Sequence, residues 1–137
     1  MKPSILYRIA AGLLLLFAVG HTLGFRQTQP QWGVDSLVAA MRSIHFDAQG
    51  FNRTYWDFYT GFGLFVSVGL LFAAVLSWQM GGLSAATLAQ LRGPAWTVVL
   101  CFVVLTFLSW RYFFIAPIVF SALITLVLAA AAYSSGK

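Results

Sequence analysis

The chain has 137 residues, of which 61% are hydrophobic and 8% charged, and its mean hydropathy is +0.86. That composition would leave a soluble domain of this size with too much exposed apolar surface, so the net charge of +5 does not point to a soluble nucleic-acid binder. A hydrocarbon core about 30 Å thick takes roughly 20 helical residues per crossing, so the length supplies about four spans and no second domain.

The expected fold is all-α: a polytopic, antiparallel bundle of four transmembrane helices at approximately residues 4–24, 54–78, 94–112 and 117–133, with a short interfacial helix in the long first loop. The first span follows Pro3, where a missing N–H is harmless. Met1 to Arg8 with Ile9 to Val19 resembles a signal peptide, and it is read here as a retained span. Gly20 and Gly24 form a GxxxG pair that lets a neighbouring backbone approach closely, and packing within the molecule is the expected use.

The polar connection from Arg26 to Arg53 is too long for a simple turn. Asp35 and Ser36 are placed to cap a short helix carrying Leu37, Val38, Met41 and Ile44 on one face, which suits an interfacial anchor or a lid. The second span opens with Thr54 and Asp57 at capping-box spacing, and further along Gly69, Ala73 and Ser77 make a ladder of small residues for helix contact. Gly81 and Gly82 end this region, and Ser84 to Leu91 reads as another short surface helix. Gly93 and Pro94 open the third span, and Pro117, after the turn Phe113 to Ala116, is expected as the first residue of the fourth.

Aromatic belts are expected at Trp32, Tyr55, Trp56, Tyr59, Trp110 and Tyr112 on one side and at Tyr7, Trp78, Trp96 and Tyr133 on the other. The basic residues divide evenly, Lys2, Arg8, Arg92 and Lys137 against Arg26, Arg42, Arg53 and Arg111. Because Lys2 and Arg8 flank the first span and the first loop collects the acids, both termini are assigned to the cytoplasm. The basic residues read as lipid-headgroup anchors.

All three acids and both histidines fall between the end of the first apolar run and the first turn of the second span, and Arg111 closes the third. In an antiparallel bundle those ends share one membrane face. His21 leads the candidates because an ionisable group about one turn inside a span is expensive unless it is paired or faces a polar cavity. With Asp57 and Arg111 it would form a proton-transfer or anion-orienting site; alternatively it is an interface histidine hydrogen-bonded to a loop carbonyl. Asp57 has its own alternatives in the cap with Thr54 and an i, i+4 pair with Arg53. Arg111, next to Trp110, reads first as a snorkelling anchor, its place near the shared mouth permitting the site role. Asn52, Arg53, Tyr55, Trp56 and Tyr59, with His45 from the loop and Trp110, are the candidate ligand contacts, since aromatics over a bundle mouth can stack on a flat or cationic lipophilic molecule.

His45 lies in a loop rather than on a facing helix, so haem is not expected, and the single Cys101 lacks the companions of a metal site. No cofactor or metal is therefore assigned, and phosphate-binding, nucleophile-elbow and zinc-protease motifs are absent from the sequence. The segments Gly20-His21-Thr22-Leu23-Gly24, Gly50 to Tyr59 and Ser109 to Phe114 resemble those of an uncharacterised family of small four-helix bacterial membrane proteins. That resemblance implies a bacterial inner-membrane location and no particular substrate. A looser likeness to DoxX-type and sterol-isomerase-like four-helix proteins rests on helix count and a polar mouth; the catalytic acids of the latter have no counterpart here, as the chain contains no Glu. The function expected is binding of a lipophilic or amphipathic small molecule in a polar pocket at one membrane face, with acid–base chemistry there the easiest to envisage. The competing reading is a non-catalytic accessory subunit of a larger membrane complex, and a homo-oligomer fits either.

Overall fold

A computed structural model describes residues 2–136, so Lys137, counted above among the topology signals, lies outside the described residues. The chain is mostly helical, and four of its helices are long and apolar enough to cross a membrane: α1 (Pro3–Gly24), α3 (Tyr55–Met80), α5 (Arg92–Tyr112) and α6 (Ile115–Ser134). The shortest has 20 residues, which at 1.5 Å per residue gives about 30 Å. Two smaller helices, α2 (Asp35–Ser43) and α4 (Ala85–Gln90), lie in the connections.

The first loop holds more than the expected helix. A short 3-10 turn, Pro30–Trp32, precedes α2, and a two-stranded antiparallel hairpin follows it, β1 (His45–Ala48) with β2 (Phe51–Thr54), in the register His45↔Thr54 to Ala48↔Phe51. Its two-residue connection has positive φ at both positions, 57° at Gln49 and 86° at Gly50, the left-handed geometry whose twist matches paired strands. The Asp47 carboxylate braces this turn by accepting from the Gly50 amide at 2.9 Å. The all-α expectation therefore needs this hairpin added. The α2 cap also differs, since Val34 occupies the cap position without a side-chain bond and Asp35 is the first helical residue. There its charge faces the positive end of the helix dipole.

By contact the chain groups into two compact units, one made of the residues through Phe17 with those from Leu70 onward, the other Ala18–Gly69. In the first, α5 and α6 pack most extensively, joined by only Phe113 and Phe114. Thr106 and Thr125 meet between them at 3.1 Å, and Phe17 stacks on Phe120 with centroids 5.3 Å apart. The core here comprises Tyr7, Ala10 and Leu14 of α1, Leu70 and Ala74 of α3, Val99 and Phe102 of α5, and Ile124, Leu128 and Ala131 of α6. These positions recur at three- and four-residue steps, so each helix buries one seam as in knobs-into-holes packing. Several hydroxyls in these helices donate to carbonyls one turn back, as in Ser121 to Pro117 at 2.7 Å and Thr106 to Phe102 at 2.8 Å.

Several local expectations are corrected. Helix α6 begins at Ile115, two residues before Pro117; the missing N–H still falls in the first turn, where amides lack intrahelical acceptors. Tyr7 belongs to the core at 2% exposure rather than to an aromatic belt. A Cβ at Gly20, Gly24 or Gly69 would meet nothing within 4 Å among the described residues, so the expected close packing is not seen there. Of the expected ladder on α3, Ser77 is buried, and Ser67 and Ala74 are buried beside it in place of Gly69 and Ala73. The second short helix matches its expectation, with Ser84 accepting from the Thr87 amide at 3.2 Å.

Candidate functional site

Strand β2 runs directly into α3, so the residues Asn52 to Tyr59 are placed by a single joint. Thr54 is that joint, 6% exposed, and it caps the helix reciprocally with Asp57. The Thr54 amide donates to Asp57 Oδ2 at 2.8 Å, the Thr54 hydroxyl donates to the same oxygen at 3.0 Å, and the Asp57 amide donates to Thr54 Oγ1 at 3.1 Å. This is the capping box read from the spacing. Both Thr54 donors converge on one oxygen of Asp57, Oδ2.

On the hairpin, His45 Nδ1 lies 2.9 Å from Asn52 Oδ1, both exposed and on one face of the ladder. Arg53 donates through Nη1 to its neighbour's carbonyl, Asn52 O, at 2.8 Å, and its guanidinium lies over the Phe51 ring at 5.3 Å. A guanidinium has five N–H donors, so most of the Arg53 donors are outside these contacts. Arg42 of α2 stands over the Trp56 ring at 4.1 Å, a cation–π contact that ties the amphipathic helix to the start of α3.

His21 is half-buried near the end of α1. Its Nδ1 lies 3.1 Å from Ser67 Oγ, and its ring stacks on Phe25 with centroids 5.2 Å apart at 11°. Thr22 donates to Ala18 O at 2.7 Å and lies 2.8 Å from the same Ser67 oxygen. The ring series continues from Phe25 to Tyr59 and from Tyr59 to Trp56, and the Tyr59 hydroxyl donates to Phe25 O. A Cβ on Gly63 would collide with the Phe25 ring, so glycine at 63 is what lets that ring lie against α3. His21 thus belongs to a polar and aromatic clasp between the end of α1 and α3. Its hydrogen-bond partner is a helix hydroxyl and not the loop carbonyl considered from sequence.

A groove of about 260 Å³ runs along another face of α3, lined by Arg53, Asp57, Phe58, Gly61, Phe62 and Phe65. Phe58, Phe62 and Phe65 are 40%, 63% and 73% exposed, and Gly61 has nothing within 4 Å of where a Cβ would stand. Glycine therefore opens a floor between the phenylalanines, while the two charged residues stand at one end.

Of the sequence candidates, Arg53 and Asp57 share this groove, Trp56 and Tyr59 share the aromatic series that reaches His21, and His45 pairs with Asn52. Tyr55 is exposed and packs against Phe46 of β1 at 5.0 Å. Trp110 and Arg111 belong to the other compact unit, both exposed, with Trp110 beside Phe107 and the Arg111 guanidinium over Tyr112 at 5.2 Å. Sequence reading passed over Ser67, Thr22, Phe25 and Gly63. The available signal was polar residues one helical turn apart or less from His21 and within the apolar run of α3, where an unpaired hydroxyl is costly. Among the described residues no three His, Cys, Asp or Glu side chains gather as a metal site.

Compared with known proteins, the chain matches no family model, no curated protein and no solved structure.

Proposed function

We propose that this chain is a multi-pass membrane protein, with α1, α3, α5 and α6 crossing the bilayer as an antiparallel four-helix bundle, and that it binds a lipophilic or amphipathic small molecule at the membrane face bearing the first loop. The observation carrying this reading is the groove on α3, where Arg53 and Asp57 stand over exposed phenylalanines and a glycine floor. A few polar groups at one end of an apolar cleft orient a ligand that is mostly hydrocarbon. Asp57 is engaged with Thr54, so Arg53 is the group that meets a polar head. The bacterial inner membrane as location draws on the resemblance noted above, and cytoplasmic termini draw on Lys2 and Arg8 beside the first span.

Binding rather than turnover is the reading favoured. His21 has Nδ1 against Ser67, and Ser67 is only 4% exposed, so its hydroxyl is not an accessible nucleophile. The test is photolabelling in native membranes with a diazirine-bearing fatty acid, mapped by peptide. Label is expected on the peptide holding Phe58 to Phe65 and is expected to fall about tenfold in Arg53→Gln, the scale of one charge-assisted hydrogen bond. Label spread evenly over the exposed faces of all four long helices, and unchanged in Arg53→Gln, would defeat the proposal.

A second reading, a structural or accessory subunit in a larger membrane complex, is favoured by one observation. Gly20 and Gly24 have helix-packing spacing, yet nothing within the described chain fills the space beside them. Copurification with stoichiometric partner proteins, lost in Gly20→Leu, is the result that would select it.

A further inference from the structure

The unit from Leu70 onward, with the first part of α1, carries a second groove, also about 260 Å³. Leu76, Gln79 and Met80 of α3 and Leu83 of the following turn form one side, and Ala95 and Val98 in the first turns of α5 help form the other. Gln79 brings the one polar side chain; the rest of the wall suits a hydrocarbon chain. The short helix α4 closes the connection, with Leu88 buried at 1% exposure.

The charge around this end is one-sided. The Arg8 guanidinium lies over Trp78 at 4.9 Å, and its Cγ would be 2.7 Å from a Cβ at Gly81, so the start of α1 and the end of α3 meet here. A Cβ at Gly136 would stand 2.8 Å from Nη1 of Arg92, which brings the start of α5 to the end of α6. Lys2, Arg8 and Arg92 therefore share this end, while the only three acids of the chain, Asp35, Asp47 and Asp57, all belong to the other unit. Arg92 is exposed and lies two residues before Pro94, which also lines the groove.

We propose that this groove seats one anionic phospholipid, an acyl chain lying between α3 and α5 and the phosphodiester at Arg92, with Arg8 and Lys2 adding to the local potential. Charge complementarity selects the headgroup. A zwitterionic lipid brings a cation that would find no Asp or Glu side chain among the described residues of this end, whereas a phosphoglycerol headgroup brings a single negative charge among basic residues. This inference rests on the membrane crossing stated above and is independent of the small-molecule groove.

The experiment is native mass spectrometry of the full chain in detergent, titrated with phosphatidylglycerol or with phosphatidylcholine of the same acyl chains. One phosphatidylglycerol is expected to be retained at several-fold lower concentration than phosphatidylcholine. Arg92→Gln is expected to weaken phosphatidylglycerol about fivefold and leave phosphatidylcholine unchanged, the effect of removing one basic residue at a lipid surface. Val98→Trp, which fills the groove, is expected to abolish the single tight adduct, and glycerol phosphate without chains should not displace it. Equal retention of the two lipids, or an Arg92→Gln chain that keeps its preference, would overturn the assignment. Alkaline carbonate extraction separates the two levels: a chain released to the soluble fraction refutes the membrane reading itself, while a retained chain with no lipid preference refutes only the phospholipid seat.

Discussion

The contact between His21 and Ser67 is open to a direct energetic test. Ser67→Ala deletes the oxygen 3.1 Å from His21 Nδ1 and 2.8 Å from the Thr22 hydroxyl. Thr22 loses little, because it already donates to Ala18 O at 2.7 Å. The cost therefore falls on the imidazole, whose Nδ1 is left in a half-buried position without that partner. Side-chain hydrogen bonds between membrane helices average about 0.6 kcal/mol and reach about 1.7. Ser67→Ala is accordingly expected to cost about 1 kcal/mol, or about fivefold in the folding equilibrium. The matching substitution is His21→Phe, which keeps a flat ring over Phe25, now 5.2 Å away at 11°, and removes only the nitrogens. The two single variants and the double variant, unfolded reversibly in mixed detergent micelles, form a cycle in which stacking and helix propensity cancel. A coupling of about 0.5–1.5 kcal/mol is expected. Additivity within about 0.3 kcal/mol would mean that His21 and Ser67 are not one unit, and the clasp would have to be abandoned in favour of a histidine free to act elsewhere.

The same assay applies to Gly63. Gly63→Ala drives a methyl group into the Phe25 ring and is expected to destabilise the chain by about 1–3 kcal/mol, with much of that loss recovered when Phe25→Ala is added; equal losses with and without Phe25 would show that the ring is not what glycine accommodates. In the hairpin, Gln49→Asn replaces a residue held at φ 57° by one that tolerates the left-handed region and makes the favoured Asn-Gly pair. Amide exchange of His45 to Thr54 is expected to slow severalfold in that variant, and unchanged exchange would show that the turn does not limit opening of the hairpin.

The sequence by itself determined how many long helices there would be, and nearly where. Apolar runs of about 20 residues are a composition signal, and the capping box at Thr54 and Asp57 is a four-residue local pattern, so neither requires knowledge of neighbours. The hairpin was also locally encoded, in a Gln-Gly pair between two short runs, but the aromatic density of Phe51 to Tyr59 drew the reading toward the helix start. Which face of each helix is buried was not legible. In a soluble protein, polar residues mark the outside, whereas on α3, α5 and α6 both faces are apolar, and Phe65 at 73% exposure is as hydrophobic as Phe102 at 5%. The GxxxG spacing of Gly20 and Gly24 pointed to close packing, but the buried small residues of α1 are Ala10, Ala11 and Ala18, because shape complementarity with a specific neighbour selects the seam. For the same reason only tertiary structure could pair His21 with Ser67 across 46 residues of sequence and set Gly61 as the floor between phenylalanines. Residue type told which groups are costly among apolar neighbours; the partner that relieves the cost is a matter of where two helices happen to meet.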